Sequence, residues 1–222
     1  MLINEAKWLG EAAAKIERED LTPCLNLGSQ NAEFQQTGQP WINELFISPL
    51  KQRGVQITNT DLQQAPGVDI VGDLLDAEFF ERLLGMGFGS AICCNILEHV
   101  TDIQRLASQV ARIPRSGGWL FVSCPRAYPY HPDPLDNRFR PSPPELAALF
   151  PGFDVVASGE VECVTAWGEW SRGRYGAWSK VARLALPFIR YKGWQDTARR
   201  LPWVNKRFSA SCCLLRRSRK AV

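Results

Sequence analysis

The stretch SAICCNILEHVTD (residues 90–102), followed by SGGWLFVSCPRAYPYHPDPLDNRFRP (116–141), decides the fold. Ala91–Cys94 is a short apolar run that stops at the polar Asn95, and Thr101-Asp102 offers a helix start. A Gly117-Gly118 turn then leads into a second apolar run, Trp119–Cys124. Two buried strands joined by a helix describe one crossover of a doubly wound sheet. Such sheets bind ligands at the carboxyl ends of their strands, which is where Asn95 and the Glu98-His99 pair fall.

Working outward, PCLNLGS (23–29) reads as a strand ending in Gly-Ser, and VQITNTDL (55–62) as a β-branched strand ending at Asp61. VDIVGD (68–73) reads as a third strand, leading to a helix over 76–86. The first twenty residues read as an amphipathic helix ending near Asp20. PWINELFISPLKQRG (40–54) has helical apolar spacing that Pro49 is expected to break or kink. Beyond the decisive stretch, SPPELAALF (142–150) opens as helices do, with a Ser cap and prolines in the first turn. FDVVASGEVEC (153–163) and RFSASCCLLRR (207–217) supply a sixth and a seventh strand. The alternation predicts an α/β, doubly wound sheet with right-handed crossovers, its last two runs able to pair as an antiparallel edge.

With 222 residues the chain can bury one sizeable core, so the expectation is a single domain over 1–222. Hydrophobic content of 45% and charged content of 22% are those of an ordinary soluble protein. No apolar run approaches the ~18 residues of a membrane-spanning helix, and the N-terminus lacks the layout of a secretory signal. A cytoplasmic address is expected. Seven cysteines form no C-x-x-C pair, which predicts reduced, buried thiols and neither a zinc ribbon nor a dithiol site. No metal site is expected. Charge is uneven: residues 165–222 hold 14 Lys/Arg against 2 acids, whereas 1–164 hold 12 basic and 21 acidic residues. Five of the eight tryptophans also lie in that tail, so 165–206 is read as a basic, Trp-rich insertion between the last two strands.

NILEHVTD (95–102) and RIPRSGGWLFVSCP (112–125) resemble the LEH-V-x-D and R-x-L-x-P-G-G blocks of class I S-adenosylmethionine-dependent methyltransferases, of the type 11-like kind. The likeness covers about residues 20–150 and is weaker through the closing strands. AYPYHPDPLDNRFRPSPPELAALF (127–150) is similar to a variant met in methyltransferases of glycan and other secondary pathways. The resemblance implies a seven-stranded Rossmann-like sheet with its last strand antiparallel, and S-adenosylmethionine as cofactor. It also implies transfer to a small-molecule or glycan acceptor, at oxygen. Carried over by position, Gly28 and Ser29 face the methionine part, Asp61 the ribose, Asp73 and Leu74 the adenine, and Asn95 and Ile96 the sulfonium.

Each of these residues also has a plainer reading. Gly28 lets a ligand approach closely or merely makes a turn. Asp61 and Asp73 accept from hydroxyl and amino groups or cap local turns. His99 and His131 are the candidate catalytic bases, since a neutral imidazole takes a proton near neutral pH; the alternative is that each only holds a backbone carbonyl. Asp136, Arg138 and Arg140 contact a polar acceptor, or Asp136 and Arg138 form an internal ion pair. One departure stands out. Where the family has D/E-x-G-x-G-x-G, this chain has Asn26-Leu27-Gly28-Ser29-Gln30-Asn31-Ala32 and keeps only Gly28. The alternative function is therefore a methyltransferase-like binding or scaffold protein that has lost its cofactor. For 165–206 two readings stand: an aromatic face packed on the sheet, or an interfacial segment that meets anionic membrane or a lipid-linked glycan. Nucleic acid is the weaker partner, because no RNA-binding motif accompanies the charge.

Overall fold

In the computed structural model of the chain, the described residues are 1–132, 135–172, 176–185, 188 and 191–219; for 172, 176, 177 and 185 only the backbone is described. Seven strands form one sheet in the order β3-β2-β1-β4-β5-β7-β6. They are β1 Cys24–Leu27, β2 Ile57–Asp61, β3 Ile70–Val71, β4 Ser90–Cys94, β5 Trp119–Ala127, β6 Phe153–Thr165 and β7 Arg207–Arg217. β1 to β5 pair in parallel, whereas β7 runs antiparallel to both β5 and β6. This is the expected sheet with its last strand reversed, and β7 lies inside it while β6 takes the edge.

The central strands read as unbroken apolar runs because both their faces are covered. Leu25, Leu27, Ala91, Cys93, Leu120 and Val122 point to one side, where Phe79, Phe80, Leu83, Leu106 and Val110 meet them from two helices. Cys24, Ile92, Trp119, Phe121 and Leu214 point to the other, against Leu9, Ala13, Phe46 and Leu50. The first face carries the helices Ala77–Leu84, Ile103–Val110 and Pro143–Ala148. Asp76 caps the first of them by accepting from the Phe79 amide, and Asp102 caps the second through Arg105. Ser142 and Glu145 form a reciprocal capping box on the third. All seven cysteines are free thiols, and burial pushes those of Cys24 and Cys93 up to about 12.

Three expectations are corrected. The first helix ends at Ala13, not near Asp20, and a short helix Arg18–Leu21 follows. The Arg53 guanidinium donates to the carbonyls of Ala13 and Ile16, which satisfies the early helix end. Pro49 does not break the 40–54 segment. A five-residue π-helical turn, Asn43–Ile47, precedes it, so that Pro49 sits in the first turn of Ser48–Gln52, where its missing N–H costs nothing. Gly10 lies against this turn: a Cβ there would stand 2.0 Å from the Leu45 carbonyl oxygen. Finally, the third strand shrinks to two residues.

Between β6 and β7 the chain forms the helices Ala166–Arg172, Gly176–Ala185 and Tyr191–Arg200. Trp178 and Val181 are exposed on the middle one; Pro187, Ile189 and the side chain of Ala185 lie outside the described residues. No helix among the described residues is long and apolar enough to cross a membrane.

Candidate active site

The carboxyl ends of β1, β4 and β5 open into one cavity of about 1290 Å³. Gly28, Ser29, Asn95, His99 and His131 line it; Asp61, Asp73, Leu74 and Ile96 do not. Four of the five lining residues come from the two strand-end loops that follow β1 and β4. His131 arrives from the long loop after β5.

The loop after β1 is closed on itself. Gly28 has a φ of +56°, and the Ile96 side chain stands 3.1 Å from where a Cβ would be, so the glycine is required by Ile96 as well as by the turn. The Ser29 amide donates to Thr60 O at 3.1 Å and the Ala32 amide to Pro66 O at 2.8 Å. The Gln30 amide donates to Asp61 Oδ2 at 2.9 Å, with Gln30 itself at φ 59°. Left-handed backbone at a residue with a long side chain is strained, and the Asp61 carboxylate holds it there. Asp61 Oδ1 has only a long 3.4 Å contact, with the Gln63 amide. Asn26, where the resembling family is acidic, is buried and donates to Asn59 Oδ1. Asp73 accepts from the Leu75 amide at 2.8 Å in a local turn, while Leu74 packs on the edge of the core.

The loop after β4 is different. Asn95 is also left-handed, at φ 54°, and its Nδ2 donates to Glu5 Oε1 at 2.7 Å. Ser123 Oγ donates to the same oxygen at 2.6 Å, and the Leu2 amide to Glu5 Oε2 at 2.8 Å. A fully buried carboxylate from the N-terminal helix thus sits at the cavity floor. Glu98 is a second one, also fully buried. Its Oε2 receives a long contact from Cys124 Sγ at 3.6 Å, and its Oε1 has no hydrogen-bond partner among the described residues. Burial raises the Glu98 carboxyl to about 7, with the Glu5 charge adding to the rise.

His99 contacts the Leu135 carbonyl oxygen through Nδ1, and its Nε2 is 3.8 Å from Glu98 Oε1. His131 Nδ1 lies 3.2 Å from both Pro129 O and Asp136 Oδ2. Every acceptor at the two Nδ1 atoms is an oxygen without hydrogen, so the neutral rings carry the proton on Nδ1 and keep the lone pair on Nε2. Burial lowers the His131 pKa, which Asp136 offsets only in part. The two imidazoles meet edge to face, with ring centroids 5.2 Å apart.

Asp136 is an internal partner. The Arg140 guanidinium grips both its oxygens, at 3.1 and 2.7 Å, and the amides of His131 and Arg138 add two more bonds. Burial alone would raise this carboxyl, but Arg140 and the two amides outweigh it and hold it at about 2. Arg138 instead lies over the Tyr130 ring at 5.1 Å. Asn137 Nδ2 clasps the loop to the carbonyls of Leu97 and Val100. The insertion supplies a wall: Glu169, Lys192, Asp196, Arg199 and Arg200 also line the cavity. Arg200 binds Glu169 at 2.8 Å and the Tyr128 hydroxyl at 3.3 Å.

From the sequence, Glu5 and Glu98 are assigned no role. Glu98 stood inside the quoted LEH block and had a readable signal; Glu5 had none, being 90 positions from Asn95. The reading also expected no metal site, yet Glu98, His99 and His131 present ligand atoms that all lie within 4.8 Å of one another.

No protein-family model matches the chain, and no curated protein sequence matches it. Solved structures do. A protein provisionally named a sarcosine dimethylglycine methyltransferase, from Galdieria sulphuraria, aligns at a TM-score of 0.56 and 12% identity over 97% of this chain and 85% of that one. Coclaurine N-methyltransferase bound to N-methylheliamine and SAH aligns at 0.55 and 15%, over 95% and 69%. The [4+2]-cyclase SpnF aligns at 0.54 and 18%, over 96% and 80%. The chain therefore has the class I methyltransferase fold, a fold on which a cyclase also stands.

Proposed function

We propose that the protein transfers a methyl group from S-adenosylmethionine to a hydroxyl of a small-molecule or glycan acceptor. The observation that carries this reading is the pair of free imidazole nitrogens facing a cavity at the carboxyl ends of β1 and β4. The cofactor supplies an electrophilic methyl group on a sulfonium; the residues of the chain orient the partners and take the proton. The ribose is assigned to Asp61, which stands outside the cavity lining but whose Oδ1 has only a long Gln63 contact among the described residues; Asp73 and Leu74 are assigned to the adenine, and Asn95 and Ile96 to the sulfonium. The fit is loosest at the methionine, because the amides of Ser29, Gln30 and Ala32 are already bonded and the Ser29 hydroxyl donates to Gln30 O at 3.2 Å; Gly28 and the Ser29 oxygen's lone pairs are assigned to that end. His99 and His131 are the proton acceptors, and in-line alignment supplies much of the rate.

The insertion 165–206 closes the acceptor end with Lys192 and Arg199, which suits a polar or anionic acceptor. Elsewhere it exposes Trp178 and Phe188, each 79% accessible, along with Tyr191, while Lys180 is half-buried. We assign this surface to peripheral contact with anionic membrane. Sedimentation with anionic vesicles at low salt, absent with neutral vesicles and reduced at high salt, is the expected result; a protein that stays in the supernatant leaves the insertion as a lid only.

The second reading, a cofactor-free binding protein in the cytoplasm, is favoured by the self-satisfied loop after β1. Thermal unfolding separates the two. S-adenosylhomocysteine at a hundredfold excess over its dissociation constant should stabilise the enzyme by about 2.7 kcal/mol, a rise of several degrees in Tm for a chain of this size. An unchanged Tm at millimolar ligand supports the binding protein.

A further inference from the structure

We propose that Glu98, His99 and His131 form a binding site for one divalent first-row transition-metal ion, of the Zn²⁺ or Fe²⁺ class, with its open coordination positions facing the cavity. Two imidazoles and one carboxylate are the ligand set of open catalytic metal centres. The three groups are too far apart to satisfy one another: Glu98 Oε1 and His99 Nε2 are 3.8 Å apart, beyond any hydrogen bond. They are close enough to share an ion. Bonds of about 2.1 Å in a tetrahedral site place ligand atoms about 3.4 Å from one another, and one atom from each residue already lies within 4.8 Å of the others. Small rotations of the two half-buried rings close the difference.

A second, independent observation is the fully buried Glu98 carboxylate, whose Oε1 has no partner among the described residues. Buried polar atoms are otherwise bonded almost without exception, so an orphan oxygen beside two imidazoles marks a place for a cation. The outer contacts agree. Ligating histidines typically give their other N–H to a backbone carbonyl or a carboxylate. His99 does so to Leu135 O, and His131 to Pro129 O and Asp136. Asp136 is in turn fixed by Arg140, so it orients the imidazole and does not compete for the ion. An ion held by both imidazoles would take the lone pairs that the proposed function uses as proton acceptors, so in the ion-bound chain the acceptor oxygen would be activated by the ion and not by the rings; that role rests on the proposed function, the binding does not.

The test uses the full chain, stripped with a chelator and titrated with Zn²⁺ by calorimetry and with Co²⁺ by visible absorption. The expected result is one ion per chain and a cobalt spectrum with nitrogen and oxygen ligands. The chain has only two histidines, so imidazole ligation has one possible source. Glu98→Gln and His131→Ala should each weaken binding at least a hundredfold, and Asp136→Asn, through orientation, about 10- to 100-fold. Glu98→Gln keeps the side-chain shape, and circular dichroism confirms that each variant is folded. Zn²⁺ binding that is absent from the parent, or equal in parent, Glu98→Gln and His131→Ala, overturns the site. S-adenosylhomocysteine binding, measured on the same metal-free protein, reports on the methyltransferase reading separately.

Discussion

The loops after β1 and β4 occupy equivalent places in the sheet and have been left in opposite states. After β1, amides and carboxylate satisfy one another: Ser29 with Thr60, Gln30 with Asp61, Ala32 with Pro66. After β4, Glu98 Oε1 has no hydrogen-bond partner among the described residues. Burying an unsatisfied polar group costs about 1–3 kcal/mol, more for a charge, so the open state is maintained against stability. The difference teaches where the chemistry lies. On the proposed function, the β1–β2 half is a stable edge that holds a ligand with one carboxylate, and the β4–β5 half acts on it.

The comparison breaks first, if it breaks, at His99. His99→Ala is expected to lower methyl transfer by about 10²- to 10⁴-fold while S-adenosylhomocysteine affinity stays within a few-fold; an equal loss in both would place His99 with the binding half. Next, Arg140→Ala leaves Asp136 as a buried, unpaired charge and should cost about 3–5 kcal/mol of stability, read from denaturant midpoints. The same pair sets an acid limit. Its carboxyl is held at about 2, against about 3.9 when unfolded. The stabilisation is therefore complete above pH 4 and is lost as the pH falls toward 2. In Arg140→Ala the depression shrinks, so the loss of stability on acidification should be smaller than in the parent. On the other side, Asp61→Ala should weaken S-adenosylhomocysteine by about 1.5–3 kcal/mol, tenfold or more, with the rate at saturation little changed. The smallest effect is expected from Gln30→Gly, which relieves a left-handed residue and should add about 1 kcal/mol of stability with binding neutral or improved. A destabilised Gln30→Gly would mean that the Gln30 side chain does work in the loop that its backbone does not reveal.

Much of this was legible in the residues. The central strands announced themselves because Ala91–Cys94 and Trp119–Cys124 are covered on both faces, which leaves an apolar run with no alternation. Asp102 and Ser142 announced helix starts, and both cap. Pro49 misled because a π turn before it lets the missing N–H fall in a first turn. At the site, local signals gave the strand-end residues but not their tertiary partners. Glu5 reaches Asn95 across 90 positions, Asp136 pairs with Arg140 and not Arg138, and the insertion folds back until Arg199 and Arg200 line the cavity. Such contacts depend on how layers close over the sheet, which no periodicity encodes. The first-loop departure, by contrast, was read directly from Gln30 and Ala32, and it marks the loop that is bonded to itself.

The most direct measurement is isothermal titration of the full, metal-free chain with S-adenosylhomocysteine. The account predicts one site per chain with micromolar affinity, about −8 kcal/mol, weakened tenfold or more by Asp61→Ala and unaffected by His99→Ala. Heats indistinguishable from dilution at millimolar ligand would contradict it.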